Sequence, residues 1–242
     1  MPFSSFHELY ESDAQSVYAL WLVPLLFLAF LLLTPTGRAA ASTWHPGDAS
    51  FLRGYMIFFG LETILDPFAT GPFLRSIGQQ NTGVGTTVLL TFVLLGDFRV
   101  FLLLFRMARP ERPLAKALLR AAAWTFIVPI AAYATDSALR RLRPDLPSQT
   151  IWLVYELFFL AMALWLRGVG LPAWVAPNDP ERRRGLRAIA AYVATYYALW
   201  ALADVLILVF GLDLGWLLRV IPNQLYYAFF LPFAWFQLAG LR

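Results

Sequence analysis

The chain has 242 residues, of which 60% are hydrophobic and 14% charged, with a net charge of +4. A soluble domain of this length would be near half apolar and about a quarter charged, so a water-soluble globule is excluded. Cysteine is absent, which removes disulfides and thiol chemistry, and nothing in the charge pattern marks a nucleic-acid-binding surface.

Fifteen leading residues contain Glu8, Glu11 and Asp13 but no lysine or arginine, and form a short acidic tail (residues 1–15). Long apolar stretches follow at 16–33, 51–72, 83–105, 118–138, 149–166, 187–210 and 215–238. Each is at or near the roughly 20 residues a helix needs to cross a bilayer. The expected fold is therefore all-α: one polytopic membrane domain over 1–242, a bundle of seven transmembrane helices with short loops. Small residues at Arg38-Ala39-Ala40-Ala41 resemble a signal-peptidase site, but the acidic leader and long apolar run argue for a retained first span.

Thr34-Pro35-Thr36-Gly37 ends the first span, Pro110 and Pro113 separate the third from the fourth, and Pro144 and Pro147 bracket the next turn. The longest connection is expected from Gly168 to Pro180, before Glu181 and the run Arg182-Arg183-Arg184 open the sixth span. Trp44, Trp152, Trp165, Trp174 and Trp216 fall near span ends, where indole favours the interface. Pro24, Pro129, Pro222 and Pro232 lie within spans as candidate kinks. No internal repeat relates the first three spans to the last three.

Basic residues set the orientation. With the N-terminus outside and the C-terminus cytoplasmic, the inner face receives Arg38, Arg53, Arg106, Arg109, Arg112, Lys116, Arg120, Arg167, Arg182, Arg183, Arg184, Arg187 and Arg242. The outer face keeps only Arg75, Arg140, Arg141, Arg143 and Arg219. Lys116 is the sole lysine, an arginine bias expected of a GC-rich genome and hence of a bacterial inner (plasma) membrane. The run 182–184 reads as a topology determinant, with an anionic-lipid or partner patch as the alternative.

Chemistry is expected where ionisable groups lie inside spans, because each is costly there unless paired, hydrated or neutralised. Glu62 and Asp66 share one face of the second span. Asp97 and Arg99, two apart in the third, face opposite ways and need partners from other helices. Glu156 lies in the fifth span, Asp204 in the sixth, and Asn223 in the seventh beside Pro222 and Gln224. Counting from span centres puts Glu62 and Glu156 near the midplane, Asp66, Asp204 and Asn223 outside it, and Asp97 and Arg99 in a separate inner layer. Five carboxylates then face one deep arginine, so several must be protonated, hydrated or holding a cation. Glu62, Asp66, Glu156, Asp204 and Asn223 are expected to line one contiguous cavity. Tyr192, Tyr196, Trp200 and Asp204 align at spacing four, as bundle packing or as a face for a cation.

Several classes are excluded. The last span has no lysine for a retinal Schiff base, and His7 and His45 lie outside the spans, so membrane haem ligation, zinc hydrolase sites and glutamyl protease sites lack their histidines. No metal set or cofactor motif is specified. Leu94-Leu95-Gly96-Asp97 and Ala201-Leu202-Ala203-Asp204 resemble the small-residue–aspartate pairs of bacterial lysoplasmalogenase-like proteins over about eight residues, too short a match to assign the family.

The expected function is that of a small transporter or channel-like protein binding protons or a cationic or polar solute at Glu62, Asp66, Asp97, Glu156, Asp204 and Asn223, with Arg99 gating the inner side. An alternative is a membrane enzyme acting on a lipid or isoprenoid through paired carboxylates, Asp97 with Asp204 or Glu62 with Asp66. Another is a non-catalytic subunit or assembly factor, for which oligomers or partner subunits are expected.

Overall fold

The computed structural model describes residues 5–35 and 48–239. The expectations at Thr36-Gly37, Arg38-Ala41, Trp44, His45 and Arg242 lie outside the described residues.

Among the described residues every regular element is helical: α1 (Phe6–Glu11), α2 (Ala14–Leu33), α3 (residues 48–76), α4 (Gly83–Ala108), α5 (Leu114–Leu142), α6 (Thr150–Trp174), α7 (Pro180–Leu208) and α8 (residues 214–239). Five of them, α2, α4, α5, α6 and α7, are long and apolar enough to cross a membrane. That is the architecture of a multi-pass membrane protein. Helices α3 and α8 are as long but are diluted by polar groups, Arg53, Glu62 and Asp66 in one and Arg219, Asn223 and Gln224 in the other. Exposed leucines such as Leu22, Leu25, Leu26 and Leu33, with Ile130, Leu202 and Phe236, give the bundle an apolar outer surface.

Successive long helices run antiparallel, so the chain's connections gather at two ends. At one, α1 meets the 209–213 turn and α3 reaches back to Asp13 through Arg75. Opposite it, Arg182 at the start of α7 reaches Asp48 at the start of α3 (3.2 Å) and the carbonyl of Met107 near the end of α4 (3.0 Å). Arg106 (3.6 Å) also approaches Asp48, and Asp179 (2.8 Å) holds Arg182. The arginine run thus serves more than topology, since its first member is only 2% exposed and ties three helices together.

The connection expected from Gly168 to Pro180 is shorter than the glycines and prolines implied. Helix α6 continues through a π-helical turn at Leu166–Gly170 to Trp174, and Asp179 caps α7 through the amide of Arg182 (3.1 Å). Gly170 makes this possible, because a β-carbon there would lie 3.0 Å from Trp165 and 3.1 Å from Trp174. Those two tryptophans belong to an aromatic cluster with Trp124, and Arg120 lies 4.1 Å from the centroid of the Trp174 ring.

Helix α4 runs through the middle. Its second half, from Gly96 to Ala108, is buried almost throughout, which delivers Asp97 and Arg99 to the bundle interior.

Candidate functional site

Asp97 and Arg99 do face opposite ways, and each meets different helices. The guanidinium of Arg99 donates to Thr63 Oγ1 (2.8 Å) on α3 and to the carbonyl of Tyr226 (2.7 Å) on α8, with Glu62 Oε2 at 3.5 Å. It also lies 4.3 Å from the centroid of the Tyr226 ring, a cation–π contact made within the protein. Asp97 instead accepts hydrogen bonds from the hydroxyls of Tyr155 on α6 and Tyr197 on α7, the latter at 2.5 Å.

A π-helical turn at Gln224–Phe229, just after Pro222, shapes the α8 side. Such a turn interrupts the regular hydrogen-bond ladder, and two carbonyls within it are taken by side chains: Leu225 by the Tyr192 hydroxyl (2.8 Å) and Tyr226 by Arg99. Tyr192 also stacks on Phe233 (4.4 Å), so the lower part of the aromatic stripe on α7 is packing, whereas Trp200 reaches the site and donates to Asn223 Oδ1 (2.9 Å).

A part-buried arginine turned into the bundle corrects the expected charge balance. Arg219, assigned from sequence to the outer loop charges, is turned inward to pair with Asp204, and its other terminal nitrogen lies 3.6 Å from Glu156 Oε1. Gln149 donates to both oxygens of Asp204 (3.1 and 3.0 Å). Asp204 is wholly buried and Glu156 only 4% exposed, while Glu156 Oε2 receives no hydrogen bond. Two arginines therefore face the five carboxylates.

The single cavity expected from sequence is instead two spaces meeting at a neck. An inner cavity of about 190 Å³ is lined by Asp97, Glu156, Arg219 and Asn223 among the rings of Trp152, Tyr155, Tyr197, Trp200, Tyr226 and Tyr227. A larger outer one, about 820 Å³, has Pro67, Thr70, Gly71 and Leu89 in its wall and the exposed Glu11, Gln80 and Asn81 at its rim. Tyr10, Asn223 and Tyr227 line both. Glu62, Asp66 and Asp204 line neither: Glu62 is turned to Arg99, Asp66 lies behind Tyr227, whose hydroxyl it binds, and Asp204 is sealed by Gln149 and Arg219. Asp97 does line the inner cavity, together with Glu156, whereas Arg99 lines neither space.

Tyr10 arrives from the short acidic tail, which is helical over Phe6–Glu11. Helix α1 is held by Asp213, whose carboxylate accepts the amides of Phe6 (2.7 Å) and His7 (3.3 Å), and by stacking of His7 on Trp216 (4.1 Å). The Tyr10 hydroxyl then accepts from Asn223 Nδ2 (3.2 Å) and Arg219 Nε (3.4 Å). Asp213→Ala removes the acceptor for two first-turn amides, a loss of about 1 kcal/mol by analogy with cap deletions. Amide hydrogen exchange over Phe6–Glu11 is expected to quicken severalfold while that of α7 stays unchanged.

Comparison with protein-family models, curated proteins and solved structures gives no match to this chain. Among the described residues no group of three or more histidine, cysteine, aspartate or glutamate side chains could hold a metal ion. Any functional reading therefore rests on the inner cavity and its neighbours.

Proposed function

We propose that the protein is a small multi-pass membrane transporter that binds a small organic cation in the inner cavity, reached from the tail end. In this reading α3 and α8 complete seven spans, and the tail lies outside a bacterial inner membrane with the arginine-rich end in the cytoplasm. Supporting the span count, α3 and α8 are long helices whose residues Glu62, Arg219 and Asn223 turn into the bundle, to Arg99, to Glu156 with Asp204, and to Trp200. The orientation follows the positive-inside rule.

One observation carries the choice of solute. Two carboxylates, Asp97 and Glu156, share a cavity walled by aromatic rings, and the arginine beside them is already engaged by Asp204 and Glu156. Rings present their electron-rich faces to a cation, and carboxylates complete the attraction. The volume corresponds to about six waters at roughly 30 Å³ each, room for a small amine rather than a lipid. The outer cavity acts as the vestibule, and Tyr10, Asn223 and Tyr227 form the neck.

Trp152 and Trp200 in the cavity wall supply the assay. Tetramethylammonium and small primary amines, titrated into purified protein, are expected to change tryptophan emission saturably, and at least one is expected to drive uptake into proteoliposomes. Asp97→Asn and Glu156→Gln should each weaken the response about tenfold or more, consistent with losing one buried charge-assisted contact. Asp136→Asn, remote from the cavity and paired with Arg140, serves as control. Unaltered responses in both cavity variants would refute the site.

The enzyme reading retains one specific support, the approach of the Glu156 carboxyl group to that of Asp204. Of the pairs expected from sequence, Asp97 and Asp204 engage different partners, Asp97 the two tyrosines and Asp204 Gln149 and Arg219. Turnover of a membrane lipid extract by the purified protein, abolished by Glu156→Gln, would favour chemistry over transport.

A further inference from the structure

Four arginines converge at the arginine-rich end without a carboxylate among them. Arg167, near the end of α6, and Arg183, Arg184 and Arg187, in the first turns of α7, line a cavity of about 410 Å³ with Ala188 and Ala191. Among the described residues none of the four makes an ion pair. Their neighbour Arg182 is withdrawn into the bundle by Asp48 and Asp179, so the run splits into one structural member and a cluster facing the cavity. Backbone carbonyls orient part of that cluster: Arg183 donates to Ala176 (3.2 Å) and Arg187 to Arg167 (3.1 Å). The Arg183 Nε is buried and has no acceptor.

We propose that this cavity binds the phosphate of an anionic phospholipid. Like charges drawn together raise the local potential and favour a counter-anion. Guanidinium forks suit phosphate oxygens because each offers two parallel donors. On the proposed orientation, which sets this end in the cytoplasm, position argues for a lipid, since basic pockets between membrane helices on that side bind anionic headgroups. Below the arginines, Ala188 and Ala191 carry the groove along α7 with methyl side chains only, leaving width for acyl carbons. The site is independent of the inner cavity and of what that cavity binds.

The test uses the whole protein in nanodiscs of phosphatidylcholine with graded phosphatidylglycerol, with retained lipid read by native mass spectrometry. Wild type is expected to keep phosphatidylglycerol in preference to phosphatidylcholine. Arg184→Gln with Arg187→Gln, both exposed positions, should weaken that retention about 30-fold, at about 1 kcal/mol per arginine. Arg167→Gln, from the other helix, should weaken it severalfold and guards against a folding defect in α7. Arg141→Gln with Arg143→Gln, removing equal charge at the opposite end, should leave retention unchanged. Equal loss in that control would reduce the effect to general surface charge, and equal retention of phosphatidylcholine would remove headgroup selectivity. Displacement by inorganic phosphate as effective as by phosphatidylglycerol would make the occupant a soluble anion. Any of the three results overturns the proposal.

Discussion

Gly96→Ala is expected to be among the most destabilising single substitutions in the chain. A β-carbon at this position would overlap the hydroxyl oxygen of Tyr226 and lie 2.7 Å from its ring, far inside contact distance. Tyr226 cannot retreat freely. Its carbonyl is held by Arg99, its ring lies beneath the same guanidinium, and Trp200 (5.3 Å) and Tyr196 (5.6 Å) pack around it. Overpacking usually costs about 1–3 kcal/mol, and the upper end or beyond is expected where the obstacle is pinned on several sides. Thermal unfolding in detergent should show the loss, and Tyr226→Phe in the same chain should recover part of it by removing the atom in closest conflict. A wild-type midpoint for Gly96→Ala would mean that α4 and α8 do not interlock here.

Arg219→Met is expected to rival it for a different reason. The substitution leaves Asp204, fully buried, and Glu156, nearly so, without their cation, and stranding a buried charge costs about 3–5 kcal/mol. Neutralising the acids as Asp204→Asn and Glu156→Gln in the Arg219→Met background should restore most of the stability, because the amides need no counter-charge. Failure of that rescue would assign the loss to packing of the arginine stem rather than to charge. The rescued protein should still lack the amine response, since Glu156 is proposed to contribute its charge to the solute.

What was legible from sequence follows from how far each signal reaches along the chain. Apolar runs placed most helix ends to within four residues, missing the end of α6 by eight and the start of α7 by seven, and the opposed azimuths of Asp97 and Arg99 implied partners on different helices. Charge counting failed at Arg219, which lies near a span end where an arginine ordinarily marks the interface. A usable sign was present: Arg219 is four residues before Asn223, on the same helical face. Tyr155 and Tyr197 were hidden beside more conspicuous neighbours, Glu156 and the Tyr192–Tyr196–Trp200 stripe, and nothing local announces that two phenols will converge on Asp97. Tyr10 was beyond reach because its role depends on Asp213, some two hundred residues away, holding a six-residue helix in place.

The turn at Gln224–Phe229 also bears on which length changes the chain can accept. Loops ordinarily absorb single-residue insertions and deletions, and so do many regular helices near their ends. A π-turn holds one residue more than an α-turn over nearly the same rotation, so a deletion within it would let α8 relax into a uniform helix while leaving what lies beyond on nearly the same faces. Phe230, Phe233 and Trp235 would keep the faces they now present to Arg99, Tyr192 and Phe27, but the carbonyls of Leu225 and Tyr226 would return to the helical ladder and be lost to Tyr192 and Arg99. The extra residue in this stretch therefore matters for the acceptors it frees, and a homologous chain shortened by one here would keep the packing of its last helix while leaving its counterpart of Arg99 without a carbonyl.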